Sequence, residues 1–435
     1  MNLALWLARA SRDFAEKDAL FHGTKSVASY AVLGRLVAQT ATWLSERGIR
    51  VGERVAIFMP NRPDYLPLLY AVWYLGGVVV PVNAKLHPKE AAWVFENSGA
   101  KLAFVMADFN KALENELNSK SVIELVPLNS NSLLEFSVDC IPMAPVERNN
   151  DDLAWLFYTS GTTGRPKGVM ITHGMLSAMA LNYFVDVDAV YKDDVTIYAA
   201  PMSHGAGIYN LMHVLRGAGH VYPLSGGFDP SEIFTLAAHF GSAHMFLAPT
   251  MIKRMSQIAS KREDKPKGFR TIVYGGGPMY VADIIEAVDI FGDVFVQIYG
   301  QGECPMAISV LSRKDVSDRS HIRWKDRLVS VGKAQSIVQV QIVDDAGTAL
   351  PFGSDGEIMV RGSAVMPGYW NNPEATKTTI TNNWLITGDI GAIDKDGYLT
   401  LRDRSKDLII SGGSNIYPRE IEEVLLMCPG VEEAS

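Results

Sequence analysis

Short apolar runs recur along this chain in two sets, and those of the second set each end in glycine, proline, serine or threonine. VAIFMP (55–60), VVVPV (78–82) and KLAFVM (101–106) alternate with helical patterns up to about residue 145. A second set follows: LAWLFYTS, VTIYAAP (195–201), HMFLAP (244–249), RTIVYGGGP (270–278) and VFVQIYG (294–300). Runs this short, separated by helical patterns, predict βα units and a mainly parallel sheet, hence an α/β fold. In open sheets of this kind ligands sit beyond the carboxyl ends of the strands, so the polar strand ends are candidates for one shared site.

The chain has 435 residues, too many for one compact core. The pattern divides into an N-terminal αβ subdomain (1–145), a second αβ subdomain (146–329), a smaller β-barrel-like subdomain (330–402) and a C-terminal piece (403–435). The Asn/Ser-rich stretch 129–152 reads as a linker, and 330–402 as short strands with turn signals, as in VQVQIVDDAGTALPFGSDGEIMVRG. A formal net charge of −8 without a long Lys/Arg block argues against a nucleic-acid surface. Cys140, Cys304 and Cys428 are too few and too scattered for a disulfide framework or zinc site, which fits a reducing compartment. Tyr65 to Ala84 carries no charge for about 20 residues. Pro67, Gly76, Gly77 and Pro81 interrupt it, so a buried helix over LPLLYAVWYL and a short strand VVVPV are expected rather than an integral membrane span. The N-terminus lacks a secretory pattern, and a cytoplasmic protein is expected.

YTSGTTGRPKG (158–168) follows one apolar run with three glycines, four hydroxyl residues beside the tyrosine, an arginine and a lysine. Such a loop can offer backbone N–H groups and hydroxyls to phosphate oxygens; a solvated surface turn is the alternative. It is not a Walker A loop, because Pro166 precedes Lys167 and removes a donor. YGGGP (274–278) lets backbone approach something flat, YGQGEC (299–304) sets Glu303 just past a strand as a candidate Mg²⁺ ligand, and WLITGD (384–389) ends on Asp389, a candidate acceptor for ribose hydroxyls. Singly these are a turn, a solvated carboxylate and a cap. Together they describe a nucleotide site.

YTSGTTGRPKG resembles the signature loop of the adenylate-forming superfamily. APMSHGAGI (200–208), YGGGP, YGQGE, GEIMVRG (356–362), GYWNNPEAT (368–376), WLITGDIG and LRDRSKDLIISGGSNIYPREIE (401–422) resemble that family's further motifs in the family's order. The resemblance assigns Thr159, Ser160, Gly161, Thr162, Thr163, Gly164 and Lys167 to the β- and γ-phosphates of ATP. It assigns Gly275, Gly276, Gly277 and the ring of Tyr299 to adenine, with Gly300, Gln301 and Gly302 in the same nucleotide-binding stretch. Glu303 is the Mg²⁺ ligand, Asp389 and Arg404 take the ribose hydroxyls, and Lys406 is the hinge. His204, Gly205, Gly207, Pro305 and Met306 line the acyl channel; His204 with Lys167 and Glu303 forms the catalytic set, although a satisfied core histidine is the plain alternative for His204. The family usually has threonine before the acidic residue. Here Gly302 stands there, so Gln301 or a water substitutes, or the pocket is wider.

The implied reaction activates a carboxylic acid with ATP to an acyl-adenylate and transfers the acyl group to coenzyme A. Loading of a carrier-protein thiol is the alternative. The segments around His204 and after Glu303 are small or apolar and hold no arginine, which favours a fatty or aryl monocarboxylate over a dicarboxylate. The oligomeric state is open, a homodimer being compatible. Family members continue with a small C-terminal domain carrying a further lysine, so the resemblance leads us to expect that the sequence stops inside a truncated domain, that ATP binding survives and that catalysis needs the rest.

Overall fold

The computed structural model describes residues 1–404 except 120, 130, 131, 134 and 160–164, and beyond them 409–411, 414–416, 421, 425 and 431. Two large sheets and one smaller sheet hold the described chain together. The first sheet runs Glu124–Leu128, Ala100–Met106, Arg54–Phe58, Val78–Val82, Leu153–Thr159, Lys167–Thr172. Its first five strands are parallel and the last is antiparallel. The second sheet has nine strands. Its parallel centre is Phe295–Gln301, Phe269–Tyr274, Ala243–Leu247, Val195–Ile197, Gly219–Tyr222 and Asp18–His22. Antiparallel strands flank that centre on both sides: Cys304–Leu311 and Lys333–Ala334 at one edge, Lys25–Ser29 at the other. The third sheet is antiparallel and half-barrel-like, built from Val338–Val343, Gly356–Gly362, Ile380–Thr381, Trp384–Ile393 and Leu399–Arg404.

Parallel strands covered on both faces need apolar side chains at successive positions, and the first sheet has them. Val55 and Ile57 enter the central core, while Ala56 and Phe58 enter a separate core beneath the helices Pro88–Ser98 and Ala107–Glu116. The central core lies between the two large sheets and is filled by the helices Tyr30–Glu46, Tyr65–Tyr74, His173–Asn182 and Asn210–Arg216. The outer face of the second sheet packs under Pro230–Phe240, Pro249–Ala259 and Val281–Phe291.

The uncharged stretch forms the expected buried helix, Tyr65–Tyr74, and strand, Val78–Val82. Among the described residues no helix is long and apolar enough to cross a membrane. The expected boundary near residue 145 does not divide the sheets. Leu153–Thr159 pairs with Val78–Val82, and the early hairpin Asp18–Ser29 belongs to the second sheet beside Gly219–Tyr222. Sequence order misled here because strand partners are chosen by register and burial, not by proximity along the chain.

Candidate functional site

The parallel strands of the second sheet end on one side, and Tyr299–Glu303 stands where all three sheets meet. Tyr299 and Gln301 close the strand Phe295–Gln301. From there the Tyr299 hydroxyl donates to Asp389 Oδ2 at 2.6 Å, and Gln301 Nε2 donates to the same oxygen at 2.7 Å and to the Thr387 carbonyl at 3.0 Å. Tyr299 and Asp389 are 7% and 8% exposed, so these donors sit beside a nearly buried carboxylate. Burial, then the Asp389 charge, pushes the Tyr299 phenol well above its usual range, and it stays a donor. Asp389 pairs in register with the backbone of Arg404. The turn before it is held by Glu357, whose Oε1 accepts from Gly388 N at 2.6 Å.

Gly302 makes the contact to the first sheet. A Cβ built there would lie 2.8 Å from Thr159 Cγ2 and 2.9 Å from Phe157 Cδ1. A threonine here would need Thr159 or Phe157 to shift. Phe157 also meets His204 edge-on, ring centroids 5.7 Å apart.

Thr159 and Lys167 face each other across the mouth of the signature loop. Ser160, Gly161, Thr162, Thr163 and Gly164 lie outside the described residues, as does Lys406. Lys167 Nζ sits 5.0 Å from the centre of the Tyr369 ring, and the Tyr369 hydroxyl donates to Glu303 Oε1 at 2.5 Å. Glu303 is thus within one side chain of Lys167. Among the described residues no group of three or more His, Cys, Asp or Glu side chains is placed to hold a metal ion. A carboxylate such as Glu303 is the kind of group that Mg²⁺ takes, one or two at a time, completing its shell with other oxygens.

Gly275 packs so closely on the neighbouring strand that a Cβ would lie 2.5 Å from the Ile298 carbonyl, while Gly276 and Gly277 are exposed. Gly300 is closed in by the backbone of Cys304 and Met306. The first two glycines of the expected adenine frame therefore differ in kind: one serves strand packing, the next leaves open surface.

His204 begins the turn into Gly205–Ile208; its Nδ1 shares a hydrogen bond of 2.9 Å with Ser203 Oγ, and burial lowers its pKa, favouring neutral imidazole. Gly205 faces Met306: a Cβ there would lie 1.8 Å from Met306 Cε and 3.6 Å from Phe246 Cε1. Met306 itself holds φ +60°, a left-handed conformation rare for a long side chain. Pro305 precedes it in the strand Cys304–Leu311. A side chain at Gly207 would point elsewhere, toward Met202. Its Cβ would collide with the Met202 carbonyl at 1.8 Å, so the tight turn requires a glycine there. Cys304 is buried and its thiol is pushed far up by burial, so it is no nucleophile.

Sequence reading missed Tyr369, Phe157 and Glu357. Tyr369 and Glu357 lie in motifs recognised as similar to the family's, yet their partners are distant in sequence, and only the fold brings them together.

The family model described as "AMP-binding enzyme" matches residues 7–370. The feruloyl-CoA synthase of Amycolatopsis sp is 35% identical over 433 residues, covering 99% of this chain and 84% of that protein. The ATP-bound crystal structure of MatB from Rhodopseudomonas palustris superposes with a TM-score of 0.88 at 30% identity, covering 100% of this chain and 85% of that one. The o-succinylbenzoate CoA synthetase (MenE) of Bacillus subtilis, solved with its acyl-adenylate intermediate OSB-AMP, gives 0.85 at 29% identity, covering 98% and 84%.

Proposed function

Because the chain belongs to the AMP-binding enzyme family, we propose that it is an AMP-forming acyl-CoA synthetase that activates a monocarboxylic acid with ATP and passes the acyl group to coenzyme A. The acid's carboxylate oxygen attacks the α-phosphorus, the bond to the β-phosphate oxygen breaks, and pyrophosphate leaves. The thiol sulfur of coenzyme A then attacks the acyl carbon of the mixed anhydride, giving up its proton, and AMP departs. Neither step needs a protein nucleophile, and the protein's work is positioning and neutralising charge.

The observation that carries this reading is the meeting of the Asp389 acceptor site and the Glu303–Tyr369–Lys167 group at one strand end, with the neutral His204 beside them. In our assignment Asp389 with Arg404 takes the ribose, and Gly275, Gly276, Gly277 and Tyr299 border the adenine. Lys167 with Thr159 and the loop that follows takes the β- and γ-phosphates. Glu303 would hold Mg²⁺, which supplies charge neutralisation at the phosphates. His204, Gly205, Pro305 and Met306 border the acyl group, and Lys406 serves as hinge. The aromatic and apolar surroundings of Gly205 support a fatty or aryl acid, and a reaction fed by ATP and coenzyme A fits a cytoplasmic setting.

The test is calorimetry with non-hydrolysable acyl-adenylate analogues that carry aryl or fatty acyl groups, beside AMP alone. An analogue of the right class should bind at least about 100-fold more tightly than AMP, as intermediates do where both subsites are built. If every analogue binds like AMP, the acyl subsite is misassigned.

A further inference from the structure

Tyr369 touches two groups of opposite charge. Its phenol donates to Glu303 Oε1 at 2.5 Å, and its ring lies 5.0 Å from Lys167 Nζ. The side chain is 6% exposed. In this contact the phenol is the donor and the Glu303 carboxylate the acceptor.

The backbone holds this tyrosine to the strand that leaves the signature loop. Tyr369 forms an isolated antiparallel bridge with Val169, Trp370 N donates to the Gly168 carbonyl at 2.7 Å, and Met170 N donates to the Gly368 carbonyl at 3.1 Å. Tyr369 N donates to Thr376 Oγ1 at 2.9 Å, which fixes the segment from its other side.

We propose that Tyr369 is a positioning residue that ties the metal-binding carboxylate to the phosphate-binding lysine. This rests on the nucleotide-site reading above. The phenol sets which way the Glu303 carboxylate faces, as hydrogen-bond donors behind metal ligands do. The ring face steadies the Lys167 ammonium by cation–π attraction until phosphate oxygens take it. Because the 368–370 segment is paired to 168–170, a shift of the loop's exit strand moves Tyr369 with it, and the metal ligand and the lysine are adjusted together.

Calorimetric titration of ATP, in EDTA and at graded Mg²⁺, tests this in the full chain. Tyr369→Phe keeps the ring and its packing but removes the hydroxyl. ATP affinity in EDTA should stay within about twofold of wild type, while the Mg²⁺ needed for half-maximal strengthening of ATP binding should rise roughly tenfold. Tyr369→Leu removes the ring as well and should also weaken ATP in EDTA by about threefold. The proposal is overturned if Tyr369→Phe leaves the Mg²⁺ titration unmoved, or weakens ATP equally with and without Mg²⁺, which is the mark of a merely structural residue. A wild-type protein whose ATP affinity ignores Mg²⁺ overturns it too. If wild type binds Mg·ATP and yet no acyl-adenylate analogue exceeds AMP, the adenylation reading falls while the tyrosine's role is decided by its own titration.

Discussion

The Tyr299 phenol and the Asp389 carboxylate meet at 2.6 Å although 90 residues separate them, and their hydrogen bond joins the nine-stranded sheet to the half-barrel. Gln301 donates to the same carboxylate oxygen, so Asp389 is held from the strand that also carries the candidate metal ligand Glu303. Asp389→Asn replaces an acceptor-only group with one that presents donors to these donors. ATP affinity should fall roughly 10–100-fold, the range expected for losing charge-assisted hydrogen bonds. Tyr299→Phe leaves the Gln301 bond in place and should cost less than about tenfold. Calorimetry on both variants checks the order; equal losses would mean that Asp389 acts only through Tyr299.

Gly205 and Gly207, two residues apart, should respond differently to alanine. At Gly205 the added methyl meets the flexible end of Met306. The variant should fold normally and discriminate against longer acyl-adenylate analogues by about 1–3 kcal/mol. At Gly207 it meets the Met202 carbonyl, which cannot yield cheaply. Gly207→Ala should lower the melting temperature without changing the order of preference among analogues. A preference shift in Gly207→Ala with unchanged stability would contradict the placement of this turn.

Gly302→Thr introduces the family's usual residue into occupied space. Thr159 and Phe157 block its Cβ at 2.8 and 2.9 Å, and overpacking of this kind costs about 1–3 kcal/mol. Thermal unfolding should register that loss, and adding Phe157→Val should recover much of it. A Gly302→Thr protein as stable as wild type would show that the Phe157 ring yields readily.

Acid should destabilise the fold through buried histidines. Burial lowers the pKa of His173 and of His220 to about 3, and carries His213 well below its ordinary value. Between about 6.5 and 3 the unfolded chain binds these protons and the folded chain does not, so the histidines' contribution is complete above about 6.5 and lost as pH falls. Each should remove roughly 1 kcal/mol per pH unit below that value. Melting curves from pH 7.5 to 5 should fall steeply in wild type and less steeply in His173→Gln, whatever that variant's stability at pH 7.5. Parallel slopes would show that His173 is not buried neutral.

How much of this was legible beforehand follows from where the information lies. Helix Tyr65–Tyr74 and strand Val78–Val82 were readable because burial on all sides leaves an uninterrupted apolar run. Glu303 and Asp389 stood out as candidates because polar residues at apolar strand ends are unusual, whereas Tyr299 entered only through the family resemblance. The hairpin Asp18–Ser29 was not: DALFH and KSVAS are short, half-polar segments, and DALFH joins the sheet through Gly219–Tyr222, nearly 200 residues later. The backbone clearance that Gly207 provides was not legible, because such a glycine looks, in sequence, the same as one that makes room for a ligand. Tyr369 stood in a recognised motif, but its role appears only when Glu303 and Lys167 stand on either side of it.

The most direct test of the central claim is a crystal structure of this chain with an acyl-adenylate analogue bound. The account predicts the ribose hydroxyls on Asp389, adenine along Gly275–Gly277, the phosphate near Thr159 and Lys167, and the acyl group passing His204 toward Gly205 and Met306. An analogue seated elsewhere, or an acyl group directed away from His204, would contradict it.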